Sequence, residues 1–184
     1  MPSQGERDGK KEKRWSAMKN RSVRRLTTCA VLTALALALS VAEGLVPVTI
    51  LFPLPGLRLG LSNLVTIYAL YRLSFREALL ILLARCFLGA LLGGNLSGLA
   101  FSITGGLLAL LLMEALRRLR GLSLFGVSIG GAAAHNTGQI LAAMAVLGSP
   151  AALAYLPPLL LCSIATGAFT GFVTMLLLRR IPGE

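Results

Sequence analysis

Residues 53–63 read PLPGLRLGLSN, between two apolar segments. Pro53 and Pro55, with Pro47 just upstream, stiffen the stretch by fixing φ and removing backbone donors. Arg58 is a lone cation near its end, and the small-polar run Gly60-Leu61-Ser62-Asn63 leads into the next apolar segment. A bare reversal between two membrane helices needs only a few polar residues. A dozen stiff, mostly apolar residues ending in a cation predict a loop that covers a ligand site on the outer face, held there by the rest of the chain.

The totals set the class. The chain has 184 residues, 55% hydrophobic and 14% charged, with a mean hydropathy of +0.78. Soluble domains carry about 25% charged residues, so an ordinary water-soluble fold is excluded, and the length fits one domain. The net charge of +11 is not a nucleic-acid face: nine of the 18 Lys and Arg lie in residues 1–25, and most others sit in short gaps between apolar runs. That is the distribution of charge that orients membrane helices. No nucleic-acid partner is expected. Cys29, Cys86 and Cys162 all lie in apolar segments and are odd in number, so they behave as small hydrophobes. With His135 the only histidine, no metal site and no cofactor are expected.

Residues 1–24 are polar and basic and are expected to form a disordered arm, Trp15 being a weak candidate for a headgroup contact. Residues 25–181 then form an all-α integral membrane domain. Its six predicted spans are 26–46, 57–73, 77–93, 99–116, 126–147 and 153–178; the second is short, and Pro157-Pro158 should kink or delay the sixth. Sixteen of the 18 basic residues fall before span one, between spans two and three, between four and five, or after six. The positive-inside rule therefore places both termini in the cytoplasm, with Arg58 outside and Arg85 within the membrane.

Ala30, Ala34 and Ala38 recur every four residues along one face of span one. Such a stripe admits close approach of another helix, either a neighbour in the same chain or a docking partner. Glu43 and Arg58 mark the outer ends of spans one and two, and Asn63 lies a turn further into span two. Arg85 sits near mid-membrane, where a charge costs at least ~2.5 kcal/mol and demands a partner or a wet cavity. His135, Asn136 and Gln139 fall at similar depth in span five. Taken singly, each has a bland reading: Arg58 as a snorkelling cation, Arg85 as a structural ion-pair partner, the three polar residues of span five as glue between helices. Together Glu43, Arg58, Asn63, Arg85, His135, Asn136 and Gln139 line an outward cavity suited to a small anionic ligand.

Absences bear on the chemistry. Asp8 is the sole aspartate and lies in the arm, so no carboxylate cluster exists to hold Mg²⁺ with a substrate diphosphate. No Gly-rich loop ending in Gly-Lys-Ser/Thr is present, so any uphill transport must be powered elsewhere. The chain is not expected to be an enzyme.

The stretches PLPGLRLGLSNLVTIYAL (53–70), FREALLILLARCFLGALLGG (75–94) and SIGGAAAHNTGQ (128–139) resemble a bacterial membrane family known both as heptaprenyl diphosphate synthase component I and as Gx transporter. The likeness runs from about Arg25 to Arg180; Arg58 stands where lysine is the expected residue, exchanging a point-like ammonium for a planar fork. That family is in turn similar to the S components of energy-coupling-factor (ECF) transporters. The second likeness implies six helices with both ends inside, an Ala-x-x-x-Ala stripe on helix one that Ala30, Ala34 and Ala38 match, and a first outer loop over the substrate. It further implies a bacterial cytoplasmic membrane, a vitamin-like or anionic solute, and a T component with ATPase subunits as partners. The enzyme-component name implies instead a non-catalytic membrane subunit of a heptaprenyl diphosphate synthase system with an isoprenoid-type ligand.

Overall fold

The computed structural model describes residues 4–44, 60–93 and 96–180. Six α-helices account for most of them: α1 (Gln4–Gly44), α2 (Asn63–Arg72), α3 (Phe75–Gly93), α4 (Leu96–Arg117), α5 (Leu124–Leu147) and α6 (Leu156–Arg180), with a 3-10 helix, Pro150–Tyr155, leading into α6. No strand occurs among the described residues. Three helical segments are long and apolar enough to cross a membrane: Ser22–Gly44, Ser97–Arg117 and Pro150–Arg180. α3 carries Arg76, Glu77 and Arg85, and α5 carries His135, Asn136 and Gln139, which lowers both below that mark.

α1 is 41 residues, about 60 Å at 1.5 Å per residue, so it runs back through the basic arm to Gln4. Glu, Lys, Arg, Ala and Met are good helix formers, and extending an existing helix avoids the cost of nucleation. α2 differs from its predicted span in the other direction. Residues 57–59 lie outside the described residues, Gly60 to Ser62 form a turn, and the helix holds 10 residues, about 15 Å, half a bilayer core. In α6 the two prolines fall in the first turn, where their missing N–H groups have no helical partner to lose. They delay the helix rather than kink it.

α2 sits at the centre, in contact with all five other helices, and every residue from Asn63 to Leu70 is buried. The others form an arc around it in the order α1, α3, α4, α5, α6, with no contact between α1 and α6 among the described residues. The main core joins Val65, Ile67 and Leu70 of α2 to Leu82, Leu110, Met113 and Val127; a smaller one joins Phe101, Ile140 and Leu159. Along α5, His135 falls between these two apolar clusters. α4 and α5 approach to backbone contact: a Cβ on Gly138 would lie 2.7 Å from the Gly105 Cα. The two glycines are what allow the crossing, since no side chain fits between the helices there.

One end of the bundle is basic. Arg25 of α1 pairs with Glu77 at the start of α3 at 3.8 Å, and Arg117 of α4 pairs with Glu114 and donates from Nη1 to the Leu70 carbonyl of α2 at 2.6 Å. That last bond satisfies one of the carbonyls a helix C-terminus leaves open.

Candidate functional site: a polar hub at the Gly60–Asn63 turn

At the opposite end of α2, side chains from α1, α3 and α5 converge on the turn Gly60-Leu61-Ser62-Asn63. The bundle-facing side of α1 is Leu32, Ala36, Ser40 and Glu43, spaced four, four and three, all buried. The last of these, Glu43, accepts the Leu61 backbone N–H through Oε1 at 2.7 Å. On α3 the buried residues are Ala78, Ile81, Leu82, Arg85 and Cys86. That periodicity forces Arg85 onto the core face, where only 3% of it is exposed and Nη1 donates to Ser62 Oγ at 2.6 Å.

α5 supplies the third wall. Gly60 has φ +84°, and a Cβ there would lie 3.0 Å from both Asn63 Nδ2 and His135 Cδ2. The His135 ring is pressed between Gly60 and Gly105 of α4, where an added Cβ would lie 2.9 Å from Nδ1. Gln139 Nε2 lies 2.7 Å from His135 Nε2. The Gln139 amide and the His135 ring therefore share a hydrogen bond one turn apart on α5. Asn63 is 5% exposed, and among the described residues its amide oxygen and nitrogen make no hydrogen bond. A buried polar group left unsatisfied costs about 1–3 kcal/mol, so this amide is a natural contact for a bound polar molecule.

Of the residues singled out from sequence, Glu43, Asn63, Arg85, His135 and Gln139 therefore gather around one turn. Asn136 does not join them. One residue along the helix from His135, it is rotated about 100° and faces α6, donating to the Leu159 carbonyl at 3.0 Å and to Ser163 Oγ at 2.9 Å. Its role in this arrangement is to tie α5 to α6. Arg58 and the predicted covering loop 47–58 lie outside the described residues. Ala30, Ala34 and Ala38 are exposed. They sit two residues, about 200°, from Leu32, Ala36 and Ser40 and so point away from the bundle.

Ser40 and Ser102 were not singled out from sequence, yet both are buried beside the hub, as is Ser62 of the small-polar run. Only Ser40 had a usable signal, falling three residues before Glu43 on the same face. Ser40, Arg85, Cys86 and Ser102 line a cavity of about 140 Å³ between α1, α3 and α4. Among the described residues no three of His, Cys, Asp and Glu gather as a metal site would require.

A family model for heptaprenyl diphosphate synthase component I matches residues 32–177, which includes every described residue of the hub. The chain belongs to that family. No curated protein and no solved structure matches it. Membership in the heptaprenyl diphosphate synthase component I family brings a component's name, and with it the expectation of a partner subunit. The long apolar helices add a lipid environment.

Proposed function

We propose that the protein is a non-catalytic, ligand-binding membrane subunit, and that it serves the heptaprenyl diphosphate synthase system for which its family is named. The observation that carries the binding role is the hub: five polar side chains from four helices are buried around one turn, and among the described residues the Asn63 amide has no hydrogen-bond partner. A stable apolar bundle has no need of that arrangement, which costs desolvation at every member. The chain's six helices lie in the bacterial cytoplasmic membrane with both termini inside, α2 reaching only part of the way across. In support, Arg25, Arg72, Arg76 and Arg117 cluster at one end of the helices and the hub lies toward the other. Catalysis then belongs to a soluble, aspartate-rich synthase held at the lipid surface.

A second reading is favoured by one specific observation, the exposed Ala30/Ala34/Ala38 face on α1. In that reading the chain resembles the S component of an ECF-type uptake transporter. It binds a small anionic or vitamin-like solute and docks through the alanines on a T component powered by separate ATPases. Purification of the tagged full chain from its native membrane separates the two. Co-purifying prenyl synthase, with a changed product length when this chain is removed, supports the first. ATPase subunits with a membrane partner and no prenyl synthase move the assignment to the second, and recovery of neither overturns both.

A further inference from the structure

We propose that the groove between α4 and α5, on the outside of the bundle, seats the chain of a prenyl diphosphate whose headgroup is met just beyond it by Arg118 and Arg120. The choice of an isoprenoid rests on the membrane-subunit reading above. The groove itself rests on geometry and lies apart from the hub.

Helical spacing builds the groove. Leu108, Leu111 and Ala115 recur at three and four residues along α4 with Leu112 beside them, and Ala133 and Thr137 recur at four along α5. Long side chains on one helix and short ones on the other leave a depression of about 520 Å³ between them. That lies within the roughly 300–1,000 Å³ of small-molecule sites. Thr137 brings the one hydroxyl of the lining, and its Oγ1 donates to the Ala133 carbonyl at 2.8 Å, so the surface offered to a ligand is apolar. Leu111, Leu112 and Ala115 are exposed, so no other described helix fills the groove.

Depth selects a lipid over a partner helix. Toward the hub the groove stops beside Thr137, where α4 and α5 come into backbone contact at Gly105 and Gly138. Toward the basic end it opens at Ala115, whose carbonyl accepts the Arg118 backbone N–H at 3.2 Å. From residue 108 to residue 118 is about 15 Å, half of a hydrocarbon core of roughly 30 Å. A partner helix needs a seam through both leaflets, whereas a lipid anchored in one leaflet needs only this length. A chain gains little by leaving lipid tails for leucines, so selectivity must come from the headgroup and from shape. Arg118 falls seven residues past Leu111 on the same face of α4, and both it and Arg120 are exposed. Glu114 Oε1 accepts from Arg118 Nε at 2.9 Å and Nη2 at 2.7 Å, which steadies the guanidinium while leaving other donors of its five for phosphate oxygens. Arg117, Arg118 and Arg120 set three cations against that one carboxylate, a balance suited to a multiply charged diphosphate. A prenyl chain is single and stiffened by its double bonds, so it loses less freedom in a narrow groove than paired acyl chains do.

The full chain in phosphatidylcholine nanodiscs is photolysed with a diazirine-bearing geranylgeranyl diphosphate, and the labelled residues are located by mass spectrometry. Label should fall on 108–115 and 133–137, and unlabelled geranylgeranyl diphosphate at ten times its Kd should cut it to about one-eleventh. Geranylgeraniol, which lacks the charge, and phosphatidylglycerol, which lacks the isoprenoid chain, should compete far less. Ala115→Leu, at an exposed position, should fill the groove and remove the label. Arg118→Gln/Arg120→Gln should reduce it and erase the preference for diphosphate over alcohol. If either variant loses its thermal transition, the wild-type label map and the order of competitors decide alone. Competition by phosphatidylglycerol equal to that by the diphosphate would overturn the isoprenoid assignment and leave a general anionic-lipid site. Label confined to other surfaces, or a groove found crosslinked to a second copy or a partner helix, would overturn the proposal outright. A prenyl synthase recovered with a chain whose groove takes no label would remove this site and leave the membrane-subunit reading standing.

Discussion

Gly60 and Asn63 concentrate the physical tensions of the site. Gly60 occupies a left-handed conformation at φ +84°, and its missing Cβ is the space that Asn63 and His135 use. Gly60→Ala should destabilise the protein by about 1–2 kcal/mol from the backbone alone, with a further penalty from the two contacts, read as a lowered thermal midpoint in detergent. An unchanged midpoint would show that the turn is not held as described. Asn63 predicts the reverse. Because its amide is buried without a hydrogen bond, Asn63→Leu should leave the ligand-free midpoint unchanged or raise it, while ligand binding is lost. Parallel thermal and binding measurements check both halves. Much at this scale was legible: the spacing of Ala78, Ile81, Leu82, Arg85 and Cys86 already puts Arg85 on the core face. The turning of Asn136 toward α6 was not legible, because 135 and 136 are adjacent in sequence and only the packed neighbours decide which helix each one meets. Ser40 and Ser102 escaped notice for another reason, since uncharged serines are common in membrane helices and carry little cost that demands explanation.

The elements show how one sequence serves two faces. On α1 the residues Leu32, Ala36, Ser40 and Glu43 hold the bundle, while Ala30, Ala34 and Ala38 look outward. Since the stripe is exposed among the described residues, Ala34→Leu should leave stability and ligand binding unchanged and reduce recovery of a membrane partner in a pull-down. Undiminished recovery would remove the docking role. The crossing of α4 and α5 has no such tolerance. A methyl on residue 138 meets backbone at 2.7 Å, so Gly138→Ala must separate the helices and should cost about 1–3 kcal/mol, with loosening of the His135 recess that Gly105 forms. Denaturation monitored alongside ligand binding would show both falling together. Helix positions were readable from apolar runs bounded by charge. The length of α2 was not, since its start is set by the conformation of Gly60 and by the bonds of Glu43 and Arg85, which lie far away in sequence.

At the scale of the whole molecule the bundle is polarised. Arginines of α1 and α4 bind carboxylates and a helix C-terminus at one end, and the polar hub surrounds the N-terminus of α2 toward the other. The charge asymmetry of the sequence foreshadowed this division, because the same basic residues that orient spans in a membrane sit at the helix ends they flank. What it did not reveal is that α2 is a short central strut rather than a full member of a ring. The central claim is that the residues gathered around Gly60–Asn63 form a binding site. Native mass spectrometry of the full chain, gently extracted from its own membrane, tests this most directly. A small molecule of defined mass should accompany the wild type and be absent from the Asn63→Leu/Arg85→Gln double variant, provided that variant remains folded by its thermal transition. A wild type carrying no such mass, or the same mass retained by the folded variant, would contradict it.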